Sequence, residues 1–359
     1  MMTEKITIME KSKNRVLLGL SGGVDSTAAV LMLKKKGFEV IGYYFDVLGN
    51  NAEGLKLAES VAKQLEIEFI SESVAPEFDK EIIENFCSEY MCGRTPNPCV
   101  ICNPKIKFRK LVEAADSVGA YYIATGHYAR VIESGGKFFV RKGVNERKDQ
   151  SYMLYRLSQD ILSRLILPLG EIDDKEKIRE LAREHNMTNA EASDSQEICF
   201  IDDSYADYED FLKQRGYSFK TGNFVDKDGK VLGKHKGLGC YTIGQRKGLG
   251  IALGKPAFVT EINPKNNTVV LGENSDLFRT DVFSEDNIFT DPEMVIPKEG
   301  LHVKAKIRYA AKPANAVIKL IDGGKCIHAS FDEAQRAITP GQSIVFYRDD
   351  IVIGGGFIR

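Results

Sequence analysis

The stretch that decides the fold is Ser21-Gly22-Gly23-Val24-Asp25-Ser26, which lies between two regular patterns. Before it, residues 15–20 read RVLLGL, a run typical of a buried strand, and after it residues 25–36 predict a helix that Gly37 ends. Glycines between a strand and a helix let backbone N–H groups come close to a ligand, and the helix N-terminus adds partial positive charge. The stretch therefore predicts an anion site suited to pyrophosphate.

The side chains of this loop point to the same chemistry. Ser21 and Ser26 can donate hydroxyl hydrogen bonds, and Asp25 either holds Mg²⁺ or orients the loop. No Gly-Lys-Ser/Thr follows, so this is not a Walker A loop, and the glycine spacing is not that of dinucleotide folds. The string resembles the ATP-binding loop of the ATP pyrophosphatase (PP-loop) superfamily, whose members adenylate a substrate and release pyrophosphate.

Strand and helix patterns alternate after the loop. Strands are predicted at 39–45, 67–70 and 121–125, and helices at 52–65 and 77–90. Such alternation is typical of an α/β fold with a doubly wound parallel sheet. After about residue 205 glycines are frequent and short alternating apolar runs replace the helical periodicity, which predicts small β domains. We expect a PP-loop ATPase domain at 1–207, a small mainly β central domain at 208–277 and a C-terminal β-barrel at 278–359.

Composition narrows the class of protein. The chain has 359 residues, of which 43% are hydrophobic and 28% are charged, as in soluble globular proteins. No apolar run approaches the roughly 20 residues of a membrane helix, and the N-terminus lacks a secretory signal pattern, so we expect a cytoplasmic protein without a membrane partner. The net charge is −2, but basic residues dominate segments 220–250 and 301–321. Segregated positive charge of this kind suits a polyanion partner, although a lysine-rich solvated surface would look the same.

Seven cysteines, an odd number, argue against a framework of structural disulfides. Cys99 and Cys102 form a C-x-x-C pair within GRTPNPCVICN (93–103), and Cys199 lies in the stretch DSQEICF (194–200). The pair alone leaves redox, metal-binding and packing roles open. The prolines in the segment are expected to keep it from being helical.

Eight motifs in one order carry a family resemblance. They are SGGVDS (21–26), GRTPNP with a following Cys-Asn (93–103), ATGHY (124–128), KDQSY (148–152), ICF (198–200), GQRKGLG (244–250), Arg-Tyr (308–309) and TPGQS (339–343). From near residue 14 to its C-terminus, the chain resembles the MnmA/TrmU family of bacterial tRNA-specific 2-thiouridylases.

The resemblance implies a role for individual positions. Positions that match ATP contacts are Gly19, Leu20, Ser21, Gly22, Gly23, Val24, Asp25, Ser26, Phe45 and Gly126. Positions that match contacts to the target base are Asn97, Pro98 and Cys99. Further tRNA contacts are implied for Lys148, Asp149, Gln150, Arg308 and Tyr309, and Arg246 and Lys247 are expected on the same face. Cys102 matches the nucleophile and Cys199 the cysteine that carries a persulfide.

The resemblance also implies the reaction. ATP, with Mg²⁺, adenylates O2 of a wobble uridine, and sulfur then displaces AMP to give 2-thiouridine. The expected substrates are tRNAs for lysine, glutamate and glutamine, and the sulfur comes from a cysteine desulfurase, a sulfur-relay protein or free sulfide. Cys102 releases the terminal sulfur of Cys199 or closes a disulfide with it. Nearby cations, for which Lys105, Lys107 and Arg109 are candidates, would lower the thiol pKa values.

Cys99 stands where the usual family pattern has aspartate. With Cys102 and Cys199 it makes three thiolates, the usual protein ligands of a 4Fe–4S cluster with one open iron. Persulfide relay and cluster-bound sulfide therefore both remain open. Two further readings are an amide-forming PP-loop synthetase and a tRNA-binding module without catalysis. His127, after a strand end, is expected either to line the ATP site or to pack in the core.

Overall fold

The computed structural model describes residues 11–192, 198–202 and 204–359. The described residues form two compact units, one made of residues 11–79 and 102–192, the other of 80–101, 198–202 and 204–359. Residues 80–101, which we expected in the ATPase domain, thus group with the C-terminal part of the chain. In the described part of the chain, no helix has the length and apolar character needed to cross a bilayer.

The first unit is built on a parallel sheet. Its strands are β1 (Ser12–Gly19), β2 (Glu39–Asp46), β3 (Glu68–Ser73), β4 (Ala120–Ala124) and β7 (Leu165–Ile166), in the order β3-β2-β1-β4-β7. The helices are α1 (Val24–Lys35), α2 (Ala52–Gln64), α3 (Ala75–Phe78), α6 (Phe108–Ser117), α7 (Gln159–Leu162) and α8 (Lys175–Glu184), and β5 (Ala129–Ser134) pairs with β6 (Lys137–Lys142) as a hairpin. This confirms the predicted α/β class with a parallel sheet.

The apolar run of β1 forms the centre of this sheet. Leu17 pairs in parallel register with Ile41 on one side and Ile123 on the other, and all three side chains are buried. The chain goes from β1 to β2 in one direction along the sheet, whereas β4 lies on the other side of β1. Where the strand order reverses, the connections after neighbouring strands diverge and leave a crevice at the carboxyl ends. The loop 21–26 follows β1 at this edge.

One prediction about local structure was confirmed and one was wrong. Residues 75–91 are helical throughout, as α3, a π-helical turn at Asp79–Ile83 and α4 (Glu84–Met91), so the helix expected at 77–90 is present with a π-helical turn inside it. The cysteine segment is helical, because α5 covers Pro98–Cys102 and a π-helical turn at Asn103–Lys107 follows it. Pro98 is the first residue of α5, where the missing N–H costs no hydrogen bond, and Pro104 lacks the N–H that a regular α-helix would need at that position.

The second unit contains two β structures. A four-stranded sheet in the order β10-β11-β8-β9 consists of β8 (Gly222–Val225), β9 (Val231–His235), β10 (Phe258–Asn263) and β11 (Thr268–Gly272), preceded by α9 (Tyr208–Gln214). A six-stranded barrel follows, formed by β12 (Phe278–Phe289), β13 (Leu301–Lys306), β14 (Ala314–Ile321), β15 (Cys326–Arg336), β16 (Ser343–Arg348) and β17 (Ile351–Ile358).

Pairing of β12 with β17 closes the barrel. Gly354 and Gly356 of β17 make this close approach possible: a Cβ on Gly354 would lie 2.4 Å from the carbonyl oxygen of Ile288, and one on Gly356 would lie 2.1 Å from Oδ1 of Asn287. The barrel encloses its own apolar core, which includes Ile318 and Phe346. The expected β central region and C-terminal barrel are therefore confirmed.

Candidate active site

The loop 21–26 has the geometry of an anion site. Gly22 adopts a left-handed φ of 83° at the turn, and Gly23 caps α1 without any side-chain hydrogen bond to the helix end. The Ser26 and Thr27 hydroxyls donate to the carbonyl oxygen of Gly23, over 2.9 and 3.1 Å. The first N–H groups of α1 have no acceptor within the helix, so they can donate hydrogen bonds to phosphate oxygens.

Asp25 orients this loop. Its Oδ1 accepts a hydrogen bond from the Tyr128 hydroxyl at 2.7 Å, and its Oδ2 lies 3.3 Å from Nζ of Lys175. These two contacts support the expected role of Asp25 in orienting the loop. Each carboxylate oxygen keeps a second lone pair, so Asp25 could also hold Mg²⁺.

A cavity of about 220 Å³ opens beside the loop at the strand edge. Among the described residues it is lined by Gly19, Leu20, Ser21, Asp25, Ser26, Tyr44, Phe45, Lys107, Thr125, Gly126, His127 and Gln150. Seven of the ten positions matched to ATP contacts lie on its wall, and Gly22, Gly23 and Val24 complete the turn behind it. The structure therefore brings the predicted nucleotide residues together around one space.

Gly126 lies against the backbone of the loop. A Cβ at this position would be 3.1 Å from the carbonyl carbon of Asp25 and 3.2 Å from the nitrogen of Ser26. Gln150 fixes the chain at Tyr128 through two hydrogen bonds. Its side-chain oxygen accepts from the backbone N–H of Tyr128 at 2.9 Å, and its backbone N–H donates to the Tyr128 carbonyl oxygen at 2.8 Å. The ATGHY and KDQSY motifs thus form one wall of the cavity.

His127 stays neutral in this wall. Burial, together with the nearby charge of Lys107, lowers the pKa of the imidazole to about 3. Its Nδ1 lies 2.7 Å from the Thr125 hydroxyl, and its ring packs at 5.8 Å from that of Phe108. His127 therefore lines the cavity as a neutral, hydrogen-bonding ring.

Three side chains that sequence reasoning missed hold the loop in place. Tyr128 and Lys175 bind Asp25, and Asn189 donates from Nδ2 to the Gly22 carbonyl at 2.5 Å and to the Thr27 hydroxyl at 2.8 Å. Tyr128 could have been suspected, since it follows the strand end that carries Gly126. Lys175 and Asn189 lie far along the chain, and a single sequence gives no signal that pairs them with residues 22–27.

The cysteines expected to be reactive differ in exposure. Cys99 and Cys102 lie three positions apart on α5, the first exposed and the second half-buried, and Cys199 is exposed. None of the three forms a disulfide with another described cysteine. Within the described ranges no three His, Cys, Asp or Glu side chains form a group that could hold a metal ion. The three cysteines therefore do not fit a preassembled set of cluster ligands.

Two of the cations expected to lower the thiol pKa values, Arg109 and Lys107, have identified surroundings. Arg109 forms ion pairs with Glu77 and Glu113, and its Nε donates to the Lys105 carbonyl at 2.8 Å. Lys107 lines the cavity beside the loop. Arg109 is thus neutralised by carboxylates.

In the second unit, three motifs meet at the segment expected to contact the target base. The Thr95 N–H donates to the Pro340 carbonyl at 2.9 Å, and Nε2 of Gln342 donates to the Thr95 carbonyl at 2.9 Å. The Thr95 hydroxyl lies 3.2 Å from that of Thr242, next to the GQRKGLG motif. Segment 93–98 is therefore anchored by the barrel turn 339–342 before it enters α5, with Asn97 half-buried and Pro98 buried.

The residues matched to tRNA contacts have different surroundings. Arg246 and Lys247 are exposed and have no ion pair with any described residue, and Arg308 and Tyr309 follow β13 half-buried. The Asp149 carboxylate is buried and accepts from the Gly143 and Ser151 N–H groups and the Ser151 hydroxyl. Its carboxylate is thus used inside the fold, and the tRNA contact implied for this position stays a prediction. Gln150 lines the nucleotide cavity, and Lys148 is half-buried nearby in the chain.

Comparison with known proteins gives the family. Residues 14–203 match the tRNA methyl transferase HUP domain, residues 209–273 the tRNA methyl transferase PRC-barrel domain, and residues 284–358 the aminomethyltransferase beta-barrel domain. The chain is 45% identical over 362 residues to a tRNA-specific 2-thiouridylase MnmA of Clostridium perfringens, covering 97% of this chain and 99% of the relative.

Other similarities vary in strength. A tRNA-specific 2-thiouridylase MnmA of Carboxydothermus hydrogenoformans is 46% identical over 363 residues, covering 97% of this chain and 98% of the relative. A solved NMN synthetase from Francisella tularensis shares 18% identity at a TM-score of 0.34 over 50% of this chain and 66% of that chain, too weak a likeness to support an argument. With one family model matching more than half of its residues and relatives about 45% identical along nearly its whole length, the chain belongs to the MnmA family of tRNA-specific 2-thiouridylases.

Proposed function

We propose that this protein is an ATP-dependent tRNA sulfurtransferase that converts a wobble uridine to 2-thiouridine. The observation that carries the proposal is the cavity beside loop 21–26, where free N–H groups of α1, the wall of Gly126 and Gln150, and the Lys107 cation surround a space suited to a nucleotide. The relatives that share the chain's whole length bear the name tRNA-specific 2-thiouridylase. Action on tRNA would place the protein in the cytoplasm.

The first step we propose is adenylation. Uracil O2 is a poor leaving group, so it must be activated before sulfur can displace it. It attacks the α-phosphorus of ATP, the bond between that phosphorus and the bridging oxygen breaks, and pyrophosphate leaves with the electron pair. Backbone N–H groups aimed at the departing phosphates stabilise the negative charge that develops there. In this chain the N–H groups of loop 21–26 supply that stabilisation, and Tyr128, Lys175 and Asn189 keep the loop in shape.

The second step we propose is sulfur transfer from a persulfide on Cys199. Its terminal sulfur attacks C2 of the adenylated base and AMP leaves. The Cys102 thiolate then attacks Sγ of Cys199, which breaks the S–S bond, leaves sulfur on C2 and closes a Cys102–Cys199 disulfide. A thiol reductant then opens the disulfide, and a cysteine desulfurase or sulfur-relay protein passes the outer sulfur of its own persulfide to the Cys199 thiolate. Where sulfide is the source, it attacks Sγ of Cys199 in the disulfide itself, which forms the persulfide and releases the Cys102 thiolate. We draw no step through a 4Fe–4S cluster, because Cys99, Cys102 and Cys199 do not form a ligand group in the described structure.

The sulfur source can be tested directly. Iron and acid-labile sulfide are measured per chain after anaerobic purification, alongside 2-thiouridine formation by the wild type and by Cys99→Ala. The persulfide route predicts negligible iron, activity in air with a persulfide donor, and an active Cys99→Ala variant. About four iron and four sulfide per chain, with activity lost in air and in Cys99→Ala, would establish the cluster instead.

For tRNA recognition we propose that Arg246 and Lys247 bind backbone phosphates and that Arg308 and Tyr309 contact the anticodon arm. Both cations of the GQRKGLG motif are exposed without an ion pair among the described residues, as phosphate contacts require. Sequence-specific RNA recognition favours unstacked loop bases, which suits a wobble uridine turned out of the anticodon stack. The expected isoacceptors are those for lysine, glutamate and glutamine.

Two of the matched domains are tRNA methyl transferase domains, so the assay should distinguish sulfur transfer from methyl transfer. tRNA is incubated with ATP and a persulfide donor, or with S-adenosylmethionine, and its nucleosides are analysed by mass spectrometry. Replacement of oxygen by sulfur at the wobble uridine, dependent on ATP, supports the proposal. A methylated nucleoside, or tRNA binding without any modified base, would contradict it.

A further inference from the structure

Two buried polar side-chain atoms in the described structure have no hydrogen-bond partner, and they are Nε of Arg179 and Oδ1 of Asn189. Arg179 lies on α8, and its half-buried guanidinium has no ion pair with any described residue. Arg183, one turn later on the same helix, forms ion pairs with Glu176 and Glu191 at 2.7 Å each. A buried arginine N–H that lacks an acceptor lowers the stability of the fold, because the desolvation of the charged group is not compensated. A ligand that supplies an acceptor atom would remove this cost.

Arg179 lies close to the groups that hold the nucleotide loop. It follows Lys175 by four residues on α8, a spacing that puts both side chains on one face of a helix. Burial raises the pKa of the Tyr128 hydroxyl and lowers that of the Lys175 ammonium, and the positive charge of Arg179 lowers both. The guanidinium is therefore within electrostatic reach of the two groups that bind Asp25.

The charges around the loop do not balance. Asp25 is the one acidic residue among the described residues that line the cavity, and Lys175 already faces it. Lys107 lines the same cavity, and the charge of Lys148 also acts on Lys175. Arg179 is not among the described residues that line the cavity, and its charge also acts on Glu191, which is paired with Arg183. Together with Lys175, Lys107 and Lys148 it makes the surroundings of the loop positive, which favours a ligand with several negative charges. A guanidinium suits phosphate in particular, because its planar donors can engage two oxygens at once.

We propose that Arg179 binds the β- and γ-phosphates of ATP and stabilises pyrophosphate as it leaves. The inference rests on the proposed ATP-dependent function and extends it to a residue outside the SGGVDS loop. When the bond between the α-phosphorus and the bridging oxygen breaks, the electron pair stays on the pyrophosphate oxygen, and Arg179 donates hydrogen bonds to that leaving group. Lys175, held by Asp25, fixes the start of α8 from which Arg179 extends.

The test compares ATP with AMP, which lacks the two outer phosphates. Dissociation constants for both nucleotides are measured by calorimetry for the wild type, Arg179→Ala, Arg179→Lys and the control Arg183→Ala. We expect Arg179→Ala to weaken ATP binding roughly 10- to 100-fold, as for loss of charge-assisted hydrogen bonds, with AMP binding unchanged. Arg179→Lys should recover part of the ATP affinity, and Arg183→Ala should bind both nucleotides as the wild type does.

Other outcomes would overturn the inference. Unchanged ATP affinity in Arg179→Ala, or equal loss of ATP and AMP affinity with a lowered melting temperature, would make the residue a structural one. Weaker binding of tRNA with unchanged ATP affinity would assign the guanidinium to tRNA phosphates. If the wild-type protein itself binds no ATP, the proposed function fails, which is a distinct result from failure of the Arg179 variant alone.

Discussion

Replacement of Gly126 by alanine should damage the nucleotide site by a defined steric route. The added Cβ would lie 3.1 and 3.2 Å from backbone atoms of Asp25 and Ser26, closer than an ordinary van der Waals contact. These atoms belong to the loop and the start of α1, so they cannot rotate away as a side chain end would. Gly126 does not have a left-handed φ, so alanine brings no backbone strain of its own. The loop must therefore shift by a few tenths of an ångström.

The size of the effect follows from the cost of overpacking, about 1–3 kcal/mol for an inserted methyl group. If that cost falls on the bound state, ATP affinity drops about 5- to 150-fold. ATP binding is measured by calorimetry and stability by thermal unfolding. The control is Gly135→Ala in the β5–β6 turn, where φ is 60° and nothing lies within 4 Å of the added Cβ.

Gly135→Ala should cost about 1–2 kcal/mol of stability through its left-handed backbone while ATP affinity stays unchanged. Unchanged ATP affinity in Gly126→Ala, or a loss no larger than in the control, would refute the steric argument.

Three further predictions concern the loop, the tRNA face and His127. Tyr128→Phe removes one of the two partners of Asp25 and should lower the free energy of unfolding in urea by about 0.5–1.5 kcal/mol and slow pyrophosphate release. Wild-type rates in this variant would show that Lys175 alone is enough to orient Asp25. Arg308→Ala should weaken tRNA binding and reduce its salt dependence by about one counterion while ATP affinity stays the same, whereas equal loss of both would make Arg308 structural. The pKa of His127 is about 3, so the unfolded chain gains a proton near pH 6.5 that the folded protein does not take up. Stability should therefore fall as pH decreases from about 6.5 toward 3, by at most about 1.4 kcal/mol per pH unit from this residue, and urea titrations of His127→Gln should show a shallower decline.

Much of the fold was predictable because local patterns and packing agree in the first unit. The helix after the loop and the next strand lie within one residue of their predicted bounds, as α1 and β2 show, whereas β1 begins three residues earlier than predicted. The predicted helix at 77–90 is present, but its π-helical turn at Asp79–Ile83 was not predicted, because no residue pattern in that stretch indicates it. Pro98 was misread as a helix breaker, although proline is well tolerated at the first position of a helix.

The candidate site was predictable to the extent that its residues are contiguous in sequence. The loop 21–26 and Gly126 follow strand ends, and the parallel sheet brings such ends to one edge. The supporting residues Lys175 and Asn189 are more than a hundred residues away from the loop in the chain, and only folding brings their side chains to it. The burial of the Asp149 carboxylate could not be predicted, because a sequence motif does not show whether a polar side chain faces the solvent or the interior of the fold.

The central claim is that the cavity beside loop 21–26 uses ATP to activate a tRNA base for sulfur transfer. The most direct test measures pyrophosphate release and 2-thiouridine formation together, with purified protein, ATP, a persulfide donor and a tRNA transcript that carries a wobble uridine. We predict that pyrophosphate release requires this tRNA and that wild-type protein forms 2-thiouridine, whereas Cys102→Ala does not. Pyrophosphate release driven by a small carboxylate without tRNA, or no pyrophosphate release with any tRNA, would contradict the account.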